Sequence, residues 1–170
     1  MTQTKTGVSE KCYVPDPTQK VGKEPVGVVL NRCKPAIVED WLSRAKLIPE
    51  LARVNLPDNE RTEHLSKILD EIVARLSKNL PSFREENALI SDAAANHGKA
   101  RKLQGYTAAM LVHESRVLQV TLFETLSKNK GDLDFNLVMT DIMRIADEVD
   151  SQLAQSMESF MASMPNEAVA

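Results

Sequence analysis

The sequence predicts an all-α protein, a single-domain bundle of about five helices. Aromatic residues make up only 4% of the 170 positions and glycine is scarce, while Leu, Ala, Met, Glu and Lys fill the long segments. That is the composition of strong helix formers rather than of strands. Apolar residues recur at i, i+3, i+4 and i+7 along several separate stretches, and proline or glycine falls between them. The length suits one domain with tails and is enough to bury a real core.

Residues 1–24 contain Pro15 and Pro17, with Pro25 just beyond, and show no periodicity, so a disordered or extended tail is expected there. The helical domain is expected over residues 25–164, with a short C-terminal tail over 165–170. Val26 to Leu30 is apolar enough for a strand, but no later segment offers it a partner, and it is read as leading into the first helix. That helix is placed from Pro35, a residue suited to a first helical position, to about Leu47. Ile37, Val38, Trp41, Leu42 and Ala45 then fall at core spacing. Trp41 is the only tryptophan and reads as a core anchor ahead of a ligand contact.

Pro49 and Pro57 bracket an irregular link or short helical turn, after which Asp58 or a neighbour can cap a second helix reaching about Leu80. Leu65, Ile68, Leu69, Ile72, Val73, Leu76 and Leu80 form its apolar stripe, with His64 at the edge as a boundary histidine. Pro81 ends it, and Ser82 with Glu85 has the spacing of a capping box for a third helix, to about Gln104. Gly105 is suited to the left-handed conformation that closes that helix. Thr107 can cap the fourth, and Tyr106 can pack on Leu111 as a hydrophobic staple. A tight αα-hairpin follows from this arrangement.

The fourth helix, to about Lys128, turns Met110, Leu111, Val117, Leu118, Leu122 and Leu126 inward, and Glu114 lies among them in angle. The last helix follows Asn129-Lys130-Gly131-Asp132. It carries Phe135, Val138, Met139, Ile142, Ile145, Ala146, Val149, Leu153, Met157 and Phe160 on one face.

The net charge is −3, with both signs interspersed, so no one-signed field steers the chain to nucleic acid or to an anionic membrane. The two cysteines, Cys12 and Cys33, lack metal-like spacing, and there is neither a secretory leader nor a membrane-length apolar run. A cytoplasmic protein without nucleic-acid or membrane partners is expected. No internal repeat and no glycine-rich phosphate loop occurs, and no cofactor is expected.

One stripe breaks the usual pattern. At about 100° per residue, Phe83, Glu86, Ile90, Ala93, Ala94, His97, Arg101 and Gln104 share a face of the third helix, and half of that face is polar. An inward stripe is normally apolar. Glu, His, Arg and Gln among small alanines therefore indicate either a buried polar network fixing helix register or a surface kept for a partner.

The stretch from His97 to Tyr106, His97-Gly98-Lys99-Ala100-Arg101-Lys102-Leu103-Gln104-Gly105-Tyr106, then Leu111-Val112-His113-Glu114, resembles the motif of the RsbRD-type N-terminal sensor domain of RsbT co-antagonists. Ile37-Val38-Glu39-Asp40-Trp41-Leu42 and Glu60-Arg61-Thr62-Glu63-His64-Leu65 agree with it. The resemblance spans roughly residues 30 to 160. It implies an all-helical, non-enzymatic sensing or protein-interaction module of bacterial stress signalling. Such domains usually precede an output module, such as a STAS domain or a histidine kinase. Too few residues follow Met164 for one, so a separate partner protein is expected to carry the output, with a small-molecule ligand and self-association left open.

His97, Arg101, Gln104, Tyr106 and Glu114 are the candidate partner- or ligand-binding residues. Arg can meet a carboxylate through two parallel hydrogen bonds, and His can change charge near neutral pH. The other class of reading is a small-ligand, haem or metal-binding protein, or an enzyme using His97 with Glu114. His97 and His113 lie eight residues either side of Gly105. His113 nevertheless points about 160° away from Leu111 on its helix, so the two histidines are not expected to share an ion. A stable metal site normally needs three or four protein ligands.

Overall fold

A computed structural model describes residues 23–78 and 91–162. Its helices run in the order α1 (Val26–Ala45), α2 (Pro49–Ala52), α3 (Asp58–Thr62), α4 (Leu65–Ser77), α5 (Asp92–Leu103), α6 (Ala108–Lys128) and α7 (Phe135–Ala162). Five are long, and α2 and α3 are short connectors. Among the described residues the only extended pairing is an isolated bridge between Glu24 and Leu133. The chain is an all-α bundle. No described helix is long and apolar enough to cross a membrane.

The first helix starts nine residues earlier than the sequence suggests, at Val26, and runs straight through Pro35. A proline inside a helix costs about 3 kcal/mol, because it removes one backbone donor and crowds the preceding turn. Upstream of it, however, Val26, Val29, Leu30 and Cys33 are all buried, in register with Ile37, Trp41 and Ala45. At roughly 1.5–3 kcal/mol for each large apolar side chain, that burial outweighs the proline. Pro25 takes the cap position instead. Glu24 ties this end to the loop before α7, donating its N–H to the Asp132 carbonyl at 2.7 Å and accepting from Asp134 N–H at 3.1 Å. Arg32 completes the tie with ion pairs to Glu24 and Asp132.

The second expected helix is divided. Residues 63 and 64 separate α3 from α4, and Leu65, Ile68, Leu69, Ile72 and Leu76 form the buried stripe of α4 as expected, with Val73 packed at its margin. Leu80, the Ser82–Glu85 capping box and the Phe83, Glu86 and Ile90 part of the polar stripe lie outside the described residues. The third helix does not continue unbroken from that region, because Ser91 has extended backbone and caps α5. Its hydroxyl accepts from the Ala94 N–H at 2.9 Å, satisfying one of the orphan donors of the first turn.

The turn between α5 and α6 is as the sequence predicts. Gly105 has φ +80°. Tyr106 N–H donates to the Arg101 carbonyl and Gly105 N–H to that of Lys102, the paired bonds of a Schellman ending. Thr107 then caps α6, its hydroxyl accepting from Met110 N–H at 3.4 Å while the Met110 sulfur accepts from Thr107 N–H at 3.3 Å. Along α7, Val138, Ile145, Val149 and Phe160 are buried, but Met139 is exposed and does not join the core. Asp141, Glu148, Gln152 and Ser156 are buried on this helix as well, a polar ridge the apolar count passes over.

Candidate functional site: a buried carboxylate between α5 and α6

Small residues let α5 approach α7 at backbone distance. A Cβ added to Gly98 would stand 2.0 Å from the Ser156 carbonyl oxygen, and the Ser156 hydroxyl donates to the Ala94 carbonyl at 2.9 Å. Beside that contact, on the same broad face of α5, His97, Arg101 and Gln104 reach toward α6 and α3.

Glu114 is the centre of what they meet. One oxygen, Oε2, lies 3.0 Å from Arg101 Nε and 3.1 Å from His97 Nε2. The other, Oε1, accepts from the Tyr106 hydroxyl at 2.9 Å. The backbone carbonyl of Glu114 accepts from Trp41 Nε1 at 3.1 Å, fixing α6 against α1. Burial alone pushes the Glu114 carboxyl upward, but the His97 hydrogen bond and the Arg101 charge outweigh it and hold the group below the usual carboxylate range. Glu114 is thus a resident anion.

Arg101 spreads the rest of its guanidinium over neighbouring acceptors. Its Nη2 donates to the Arg61 carbonyl at 2.6 Å and its Nη1 to Gln104 Oε1 at 2.8 Å, while the group lies 4.9 Å above the centre of the Tyr106 ring. Tyr106 therefore does more than staple a helix end. Its hydroxyl also accepts from Arg61 Nη1 at 3.0 Å, and burial with the neighbouring Glu114 pushes that phenol up to about 12.

All five candidate residues are brought together. Two participants were not among them. Arg61 is buried and anchors the connection before it by donating to the carbonyls of Leu51 and Val54. Its signal was present in Glu60-Arg61-Thr62-Glu63-His64-Leu65, but a single arginine beside a proline-bounded link has no helical stripe to assign it inward. His64 comes from the break between α3 and α4, which brings its ring centre within 5.8 Å of that of His97, at 73°. Burial first, and His97 second, lower the pKa of His64. His113 is on the outer side of α6, apart from His97, as its angle predicts.

The network is not closed on itself. His97 Nδ1 and Arg61 Nε are buried without a hydrogen-bond partner, and so is Gln152 Oε1 on α7. His97, Arg61 and Gln152 all line a cavity of about 40 Å³, together with Trp41, Arg101 and Glu114. That is room for a few waters or a ligand of a few atoms, far below the roughly 300–1,000 Å³ of a drug-sized pocket.

Across α7, Gln152 joins a second polar cluster. Its Nε2 donates to Glu148 Oε1 at 3.0 Å and to Glu71 Oε2 at 3.1 Å, and Arg75 pairs with both Asp147 and Glu148. Burial raises the Glu148 pKa, opposed by the Arg75 charge. Among the described residues no group of three or more His, Cys, Asp or Glu side chains is placed to hold a metal ion. Comparison of the chain with family models, with curated proteins and with solved structures returns no match.

Proposed function

We propose that this chain is a non-enzymatic helical sensor or protein-interaction module of bacterial signal transduction, of the stress-response type, that acts through a partner protein. The observation that carries this reading is the Glu114 carboxylate, buried and held by Arg101, His97 and Tyr106 across one helical hairpin. These are the residues on which the resemblance to RsbRD-type sensor domains falls. A general acid would need a raised carboxyl pKa and a route to substrate; here the pKa is lowered and the oxygens are engaged by neighbours. The same engagement gives a signal something to act on, because displacing any one donor leaves a charge that must find another partner.

The test is genetic and biochemical together. Deleting the gene should alter the stress response, and a chain carrying Glu114→Gln, checked to be folded, should fail to restore it. The purified chain should bind a STAS-domain protein or histidine kinase of the same cell. An unchanged stress response after deletion, with no binding to either class, removes the proposal.

A second reading, a small-ligand protein, is favoured by one observation: the cavity beside Trp41 is lined by His97, Arg61 and Gln152, whose buried polar atoms lack protein partners. The fluorescence of Trp41 reports on it directly. A saturable change with a small polar solute would support this reading, and a Soret band or stoichiometric metal in the purified protein would support its haem or metal version. An enzyme using His97 and Glu114 belongs to the same alternative and would need turnover lost in both single variants.

A further inference from the structure

We propose that the groove between the end of α1 and the outer face of α6 docks an acidic amphipathic helix of a partner protein. The groove encloses about 400 Å³, with Arg44 and Leu47 on the α1 side and His113, Arg116, Val117 and Val120 on α6. Its apolar lining is open to solvent: Leu47 is 81% exposed and Val120 40%, and Val112, about two turns before Val120 and outside the groove, is 47% exposed. Val112, Arg116 and Val120 follow one another at i, i+4 and i+8, so α6 presents an outward row of two valines flanking an arginine, behind the face that carries Glu114. Single exposed apolar residues need no explanation, but Leu47 on one wall and Val117 and Val120 on the other, gathered about one groove, mark a contact surface.

Charge selects the occupant. The chain as a whole carries −3, yet no carboxylate lines this groove. Arg44 is already paired, with Asp40 at 3.0 Å and Glu124 at 2.6 Å. Arg116 has no hydrogen bond or ion pair among the described residues, and His113 stands one turn before Val117 on the same wall. A helix laying apolar residues along Leu47, Val117 and Val120 would therefore meet the unneutralised Arg116 guanidinium at its edge, which favours Glu or Asp there. A helix in a groove reads as anchors at i, i+3 or i+4, and i+7.

This surface supplies the partner contact for the module proposed above and rests on that reading for its purpose, though not for its binding. A displayed library of helical peptides is selected on the full chain and the survivors are measured on Arg116→Glu and Val120→Glu, both exposed positions. Peptides with an apolar stripe edged by Glu or Asp are expected, losing affinity about tenfold or more on either variant. Neutral or basic survivors, or survivors that bind the variants unchanged, overturn the proposal. So does a wild-type dimer, seen by sedimentation, that Arg116→Glu dissociates, since the occupant would then be a second copy of the chain. A failed complementation by Glu114→Gln would leave peptide binding measurable, so the two proposals fail separately.

Discussion

Arg101 Nε and Glu114 Oε2 stand 3.0 Å apart with the two side chains 1% and 3% exposed, each supplied by a different helix of one hairpin. A carboxylate so buried would cost several kcal/mol unpaired. Its three donors come from two places: Arg101 and His97 on α5, and Tyr106 in the turn. The hairpin geometry is therefore tied to the charge, and the Schellman ending at Gly105 is what sets Arg101 and Tyr106 on the same carboxylate.

Arg101→Met and Glu114→Gln should each destabilise strongly, by about 3–5 kcal/mol for the arginine variant, because the partner left behind is a buried charge. The double variant should recover part of the loss. A double-mutant cycle by denaturant unfolding is expected to give a coupling of about 1 kcal/mol or more. Simple additivity would mean that the two groups are held independently, by His97 and by the Arg61 carbonyl.

The acid limb of stability should depend on Glu114. Its folded pKa is lowered, so its contribution is fully present above the unfolded carboxylate value of about 4.3 and is lost as pH falls through the folded value. Wild type should lose stability through the range below that value, while Glu114→Gln, weaker at neutral pH, should show a flatter acid limb. Parallel acid limbs in the two proteins would assign the loss to other carboxylates.

Tyr106 gives an opposite dependence at alkaline pH. Its phenol is pushed from the ordinary value of 10 up to about 12, so the stabilisation is complete below pH 10 and is lost as pH rises through about 12. In a Tyr13→Phe background the phenolate absorbance should report Tyr106 alone, since the sequence has two tyrosines. Ionisation near pH 10 would place the hydroxyl away from Glu114.

The parts of this arrangement that were legible in the sequence are those governed by local chemistry. Gly105, Thr107 and the i, i+4 spacing of Arg101 and His97 state the turn, the cap and the shared face without reference to the rest of the chain. The start of α1 was not legible, because Pro35 is a strong local signal that loses to the burial of Val26, Val29, Leu30 and Cys33 against distant helices. Arg61 and His64 escaped for a related reason. Arg61 sits in the five-residue α3 and His64 in the break after it, and only the tertiary path of this connecting segment brings the Arg61 carbonyl to Arg101 and the His64 ring to His97. On α7 the apolar residues were counted, but Glu148 and Gln152 on the same inward side were not distinguishable from a solvated edge without knowing that Arg75 and Glu71 would face them.

Two glycines eight residues or fewer from His97 allow the last prediction to separate packing from backbone conformation. Gly98 sits inside α5, where alanine is the better helix former by about 1 kcal/mol. Its Cβ would nevertheless stand 2.0 Å from the Ser156 carbonyl oxygen and 2.8 Å from the carbonyl carbon, which are backbone atoms of α7 and cannot swing aside. The helices would have to part, and with them the Ser156 to Ala94 hydrogen bond and the wall of the cavity beside Gln152. Gly98→Ala should cost about 3 kcal/mol or more despite the gain in propensity. Gly105 is the converse case: nothing lies within 4 Å of an added Cβ, but φ is +80°. Gly105→Ala should cost only about 1–2 kcal/mol, all of it backbone strain, and Gly105→Asn less. Thermal or denaturant unfolding of the three variants ranks them. A mild Gly98→Ala would show that α5 and α7 can separate cheaply, and the close contact that turns His97 and Arg101 toward Glu114 would then not be what positions them.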